Sequence, residues 1–99
     1  MLKALPIIFT ESAILDLEQI RDYYREQLVP DIGERFLQEI IAKVEELPTH
    51  PSQGRIVPEF NQPHLRELIH PPFRIVYRLT SKQIAIARIW RSERLLKLP

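Results

Sequence analysis

The spacing of apolar residues changes from a helical period to a strand period part-way along this chain, and that change limits the folds open to it. Apolar residues recur every three or four positions over residues 13–28 and 32–47, as they do in amphipathic helices. Beyond Pro48 they alternate or run continuously over short segments, as they do in strands. Helices followed by strands indicate an α+β fold with the helices on one face of a sheet.

Local signals give the order of the elements. An apolar run at residues 5–9 predicts a first strand, and Thr10 is suited to cap the helix that follows. Pro30 separates two amphipathic segments by a very short connection, which predicts an antiparallel helical hairpin. Further strands are predicted at residues 55–57, 65–70, 73–80 and 83–90. We therefore expect one domain over residues 1–99, with an N-terminal strand, a helical hairpin and a three- or four-stranded, mostly antiparallel sheet packed on the helices.

Composition argues against several kinds of site. The chain has no cysteine, so disulfides and thiolate metal sites are excluded. Its three histidines lie in or beside proline-rich loops, with no spacing that predicts a shared metal ion. We expect no metal, no cofactor and no small-molecule ligand. No apolar run is long enough to span a membrane or resembles a signal peptide, so a cytoplasmic location is expected.

The charges are divided between the two halves of the chain. Residues 10–47 contain ten acidic and four basic residues, whereas residues 48–99 contain three acidic and nine basic residues. The net charges of these segments are therefore −6 and +6, although the whole chain carries only +1. The predicted helices are acidic and the predicted sheet is basic, which favours an anionic partner for the sheet.

Arginines on the predicted sheet are the main candidates for binding that partner. Strand alternation places Phe73 toward the helices and places Arg74 and Arg78 on the opposite, outward face. They could instead form a solvated surface with no particular partner. Trp90 is expected to share a face with Ile86, in the core or in a groove. Glu59, Arg66 and Glu67 are less informative: Glu59 is either a plain loop acid or a base for a nuclease, and one of the adjacent pair could form a cross-strand ion pair.

Several segments together resemble a known family over about 90 residues. They are Phe9-Thr10-Glu11-Ser12-Ala13, Tyr23-Tyr24, Arg35-Phe36, Leu65-Arg66-Glu67-Leu68, Pro72-Phe73-Arg74-Ile75-Val76-Tyr77-Arg78 and Ile89-Trp90-Arg91-Ser92-Glu93-Arg94. In this order they resemble the RelE/ParE superfamily of type II toxin–antitoxin toxins, also called plasmid stabilisation proteins. The resemblance implies the same α+β fold and a cognate antitoxin that wraps and neutralises the chain.

The resemblance implies two possible targets. RelE-like members cut mRNA on the ribosome with lysines, arginines and a late tyrosine, whereas ParE-like members inhibit DNA gyrase. Arg74 matches one RelE-type arginine, and Arg91 and Arg94 flank the position of another, where this chain has Ser92. No tyrosine follows Tyr77, and this favours a ParE-like toxin.

The resemblance thus implies a toxin that is neutralised by an antitoxin and acts by binding a macromolecular target such as DNA gyrase. The expected target- or antitoxin-binding residues are Arg66, Arg74, Arg78, Trp90, Arg91 and Arg94. One alternative is a ribosome-dependent mRNA endoribonuclease, with Arg74, Arg91 and Arg94 as its catalytic residues. Another is a non-toxic structural or interaction partner.

Overall fold

The computed structural model describes residues 4–92, in which seven elements follow one another. They are β1 (Ile7–Phe9), α1 (Glu11–Glu26), α2 (Pro30–Glu45), β2 (Arg55–Ile56), β3 (Leu65–His70), β4 (Phe73–Leu79) and β5 (Ile84–Arg91). Their order matches the predicted strand, helical hairpin and strands. Arg94, one of the predicted site residues, lies outside the described residues.

All the strands belong to one sheet, in the order β1-β5-β4-β3-β2. The pairs β2–β3, β3–β4 and β4–β5 are antiparallel, and β1 runs parallel to β5. The mostly antiparallel sheet is confirmed, and β1 adds a fifth strand at its edge. No helix within residues 4–92 is long and apolar enough to cross a membrane.

Capping and close packing position the helical hairpin on the sheet. The Thr10 hydroxyl accepts a hydrogen bond from the Ala13 amide, as expected of an N-cap, and also donates toward the carbonyls of Ile86 and Ala87 in β5 at 3.0 Å. The helices approach closely at Gly33, where a Cβ atom would lie 2.8 Å from the Cβ of Tyr24. The start of α1 is therefore fixed to the sheet, and α2 is fixed to the end of α1.

Leu28 is the exception to the predicted helix pattern. It continues the apolar period of the first helix, but α1 ends at Glu26 and Leu28 is 86% exposed. The prediction that it belongs to the buried face of that helix is wrong, because the backbone turns toward α2 before reaching it.

The sheet carries apolar side chains on both faces. Phe73, Ile75 and Tyr77 pack against the helices in the main core, which confirms the predicted alternation in β4. Val76 and Trp90 belong to a smaller cluster on the opposite, outer face.

A β-bulge explains why Trp90 lies on the outer face. Tyr77 is paired with Ile86, and its neighbour Val76 is paired with Arg88, so β5 contains one extra residue, Ala87. An extra residue shifts the alternation of a strand by one position. The prediction that Trp90 shares a face with Ile86 is therefore wrong.

Candidate protein-binding cleft and a buried arginine network

Arg74 is held by two carboxylates on the outer face of the sheet. Its Nη1 and Nη2 atoms donate to the two carboxylate oxygens of Glu59 at 2.8 and 2.7 Å, and its Nε donates to Oε1 of Glu67 at 2.7 Å. Only 8% of the Arg74 side chain is exposed. The prediction that Arg74 is displayed as an outward cation is therefore wrong as to its exposure, although it does lie on the predicted face.

Glu67 joins this arginine to a second one. Its side chain is fully buried, and its Oε2 accepts a hydrogen bond of 2.6 Å from Nε of Arg55, which is largely exposed. Arg55, Glu59, Glu67 and Arg74 are called the ion-pair network below. The hydrogen bond to Glu59 raises the pKa of Arg74 above its usual value, burial opposes this, and Glu67 adds to the rise. The four formal charges cancel, so the network presents no net charge to a ligand.

The other two sheet arginines have different surroundings. Arg66 is half-buried and donates to the backbone carbonyls of Pro63 and Gly54 at 3.0 and 2.9 Å, so it supports the loops beside β3. Arg78 is exposed and forms no ion pair with any residue in the described range 4–92. The sheet therefore does not bring Arg66, Arg74 and Arg78 together into one basic surface.

A cleft lies between α1 and the end of β5. Its volume is about 500 Å³, which is within the usual range for ligand-binding pockets in proteins. The side chains that define it are Ile20, Tyr23, Tyr24, Phe73, Trp90 and Arg91. Trp90 and Arg91 of this group are predicted site residues. Tyr23 is not among the predicted site residues, because its half-exposed helical position faces the end of β5 only after α1 is docked on the sheet.

One wall of the cleft is an ion pair that supports an aromatic ring. The guanidinium of Arg88 donates to Asp16 from Nε and Nη2 at 2.8 and 2.9 Å, and its carbon lies 4.1 Å from the centre of the Trp90 ring. Asp16 also accepts the Ile89 amide at 2.9 Å. Asp16 is buried and both of its carboxylate oxygens accept hydrogen bonds, so this wall is nearly neutral.

The opposite rim is cationic and aromatic. The guanidinium carbon of Arg91 lies 6.0 Å from the centre of the Tyr23 ring and 5.9 Å from that of Phe73. The Nε1 atom of Trp90 is buried and finds no hydrogen-bond partner among the described residues. An apolar floor beside an arginine suits a peptide that offers an apolar side chain next to a carboxylate. Among residues 4–92, no three histidine, aspartate or glutamate side chains converge as metal ligands.

Comparison with known proteins decides the family. Residues 7–96 match the family model described as the ParE toxin of the type II toxin–antitoxin system parDE. The chain belongs to the ParE toxin family. A solved structure of the chromosomal ParDE toxin–antitoxin system from P. aeruginosa is 30% identical, with a TM-score of 0.76, over 91% of this chain and 98% of that chain. No curated protein sequence matches the chain.

Membership of the ParE toxin family confirms the resemblance to type II toxins and its ParE-like branch. It also confirms the α+β fold that the resemblance implied. Within this ParE-family chain, Arg91 and the ion-pair network lie on opposite faces of the sheet. Phe73, which contacts Arg91, packs against the helices, whereas its neighbour Arg74 points to the outer face.

Proposed function

We propose that this ParE-family toxin is neutralised by a cognate antitoxin and arrests growth by binding DNA gyrase, without cutting mRNA. The observation that supports protein binding over RNA cleavage is that the guanidinium of Arg74 is bound by carboxylates. An arginine that stabilises a scissile phosphate must direct its donors at the developing charge. Those of Arg74 are directed at Glu59 and Glu67 instead.

The positions of the candidate catalytic arginines give a second argument against a nuclease. A phosphate can be bound by two arginines only if their guanidinium groups converge on it. Arg91 lies on the helix side of the sheet near Phe73, whereas Arg74 lies on the outer face opposite Trp90 in register. The sheet itself separates the two groups. Protein binding requires no such convergence, and it is therefore the function that we propose.

The cleft supports the antitoxin part of the proposal. Its partly exposed aromatic rings would be covered by an apolar side chain, and the guanidinium of Arg91 would attract a neighbouring carboxylate. Contacts of this kind act in specificity as well as in affinity, since a basic residue in the same position would be repelled. We therefore place the neutralising segment of the antitoxin in this cleft.

To test this proposal, the chain is expressed from an inducible promoter, alone and together with the antitoxin encoded beside it. We expect growth arrest by the toxin alone, growth with the antitoxin, inhibition of purified gyrase in a supercoiling assay, and intact mRNA. Harmless expression of the toxin would contradict the proposal. Codon-specific mRNA cleavage during arrest would replace it with the nuclease alternative, and arrest without an effect on gyrase would leave a different protein as the target.

A further inference from the structure

The turn between the helices has a leucine where glycine is usual. Leu28 has a φ of 62°, in the left-handed region. Its amide donates to the Arg25 carbonyl at 3.0 Å, and the Val29 amide donates to the Tyr24 carbonyl at 2.9 Å. These two bonds form a Schellman motif, in which the left-handed residue is most often glycine because a Cβ atom is unfavourable there.

Leu28 gains no burial in return for this backbone conformation. Leu28 is 86% exposed, and Val29 and Ile32 beside it are each 37% exposed. These three residues are called the hairpin tip below. An exposed leucine alone is ordinary, but a leucine in the left-handed region is uncommon. Leu28 thus combines an unfavourable backbone conformation with an exposed apolar side chain, and no contact within the described fold offsets either. Residues of this kind are often found at functional sites.

The charges around the hairpin tip indicate what kind of partner it contacts. Asp22, Glu26 and Asp31 are exposed and form no ion pair within the part of the chain that the structure describes, and Arg25 is the basic residue among them. This group carries a net charge of −2. A nucleic acid would be repelled by it, and so would the tip of a second copy of the chain. The complementary surface is a protein surface with basic residues around an apolar centre.

The shape of the hairpin tip further defines the partner. The tip is the turn between two helices that pack closely at Gly33, and Leu28 projects from it with 86% of its surface exposed. A projecting apolar side chain is buried best in a preformed pocket. A folded protein offers such pockets, whereas an extended peptide does not. We propose that Leu28 inserts into an apolar pocket with a basic rim on the folded protein target of this toxin. The inference rests on the proposed function, in which the toxin acts by binding a protein.

The test compares Leu28→Gly and Leu28→Met with a matched control, Leu15→Ala. Leu15 is a leucine within α1 that is 51% exposed, and it lies outside the hairpin tip. Glycine relieves the left-handed backbone and removes the apolar side chain, whereas methionine keeps a side chain of similar size. Each variant is assayed for Tm, for growth arrest without antitoxin, for half-inhibition of purified gyrase, and for Kd toward the antitoxin.

For Leu28→Gly we expect a Tm equal to that of the wild type or higher by up to about 5 °C. We also expect growth arrest and gyrase inhibition to weaken about tenfold, as for loss of an interface anchor, with an unchanged antitoxin Kd. Leu28→Met and Leu15→Ala should stay within about threefold of the wild type, because neither removes the anchor.

Four outcomes would overturn the inference. Full potency of Leu28→Gly would show that the tip does not contact the target, and the proposed function would still stand. A clear fall in Tm would show that Leu28 stabilises the fold itself. A weaker antitoxin Kd with full potency would assign the tip to the antitoxin. A wild-type chain that neither arrests growth nor inhibits gyrase would refute the proposed function and this inference with it.

Discussion

Truncation of Arg74 should destabilise the fold strongly, which separates a structural role of this residue from a catalytic one. Arg74→Ala removes one of the two arginine partners of the buried Glu67 carboxylate and leaves Arg55, which is largely exposed. Removing one member of a buried ion pair typically costs about 3–5 kcal/mol. Because Arg55 still holds one oxygen of Glu67, we expect the lower end of that range, about 3 kcal/mol.

The change is large enough to measure by denaturation. For a domain of this size, 3 kcal/mol corresponds to a fall in Tm of roughly 12–24 °C. The toxin is purified in complex with its antitoxin, separated from it and then unfolded in urea. This measurement gives the free energy of unfolding. Arg78→Ala is the matched control, since Arg78 is an exposed arginine on the same strand. Its free energy of unfolding should change by less than about 0.5 kcal/mol.

A double-mutant cycle identifies the source of the loss. Glu59 binds Arg74 through both carboxylate oxygens, so Glu59→Ala and Arg74→Ala should be non-additive by about 1 kcal/mol or more. A loss of less than 1 kcal/mol in Arg74→Ala, or strict additivity in the cycle, would refute the argument that Arg74 is a buried structural residue. It would also restore Arg74 as a candidate for binding an anionic target.

Three further predictions concern Tyr77 and the cleft. Burial raises the pKa of Tyr77, so its phenol should ionise at higher pH in the folded chain than in the unfolded one, as measured by absorbance titration. The free energy of unfolding should therefore fall as the pH rises above about 10, as measured by denaturant unfolding. Gly54→Ala should lower the free energy of unfolding by about 2 kcal/mol, because the new Cβ would lie 2.8 Å from the Tyr77 hydroxyl. That hydroxyl accepts a hydrogen bond from the Gly54 amide and donates one to the Pro51 carbonyl, and an undiminished Tm would contradict the prediction. Arg91→Glu should weaken antitoxin binding about tenfold by calorimetry, whereas the same reversal at Arg78 should change it little; equal effects would indicate long-range attraction and not contact in the cleft.

Much of the secondary structure follows from local sequence signals. β3 was predicted at its observed bounds, and the strands around it were predicted within about two residues. The N-cap at Thr10 and the proline at the start of α2 are likewise local signals. Such features depend on side-chain period and on backbone hydrogen bonding within a few residues, so they can be read without knowing the tertiary contacts.

The surroundings of the candidate site residues were predicted less well. Arg74 was placed on the correct face of β4, but its neutralisation depends on Glu59, in a distant loop, and on Glu67, a diagonal neighbour across the β3–β4 pair. Trp90 was placed on the wrong face, because the bulge at Ala87 is a property of pairing between strands. A charged residue within an apolar strand, such as Glu67, was the signal that a buried ion pair was present.

The sequence by itself therefore determined the order of the elements, the α+β class and the resemblance to a toxin family, since these depend on period, capping and ordered short motifs. Only the tertiary structure decided which cations are available to a partner. Three similarly spaced arginines have different surroundings in the fold. Arg74 is buried in the ion-pair network, Arg66 donates hydrogen bonds to the loops beside β3, and Arg78 is exposed. The physical reason is that the availability of a charge depends on the opposite charges and dipoles within a few ångströms of it, and strand register and loop closure bring these together from distant positions in the chain.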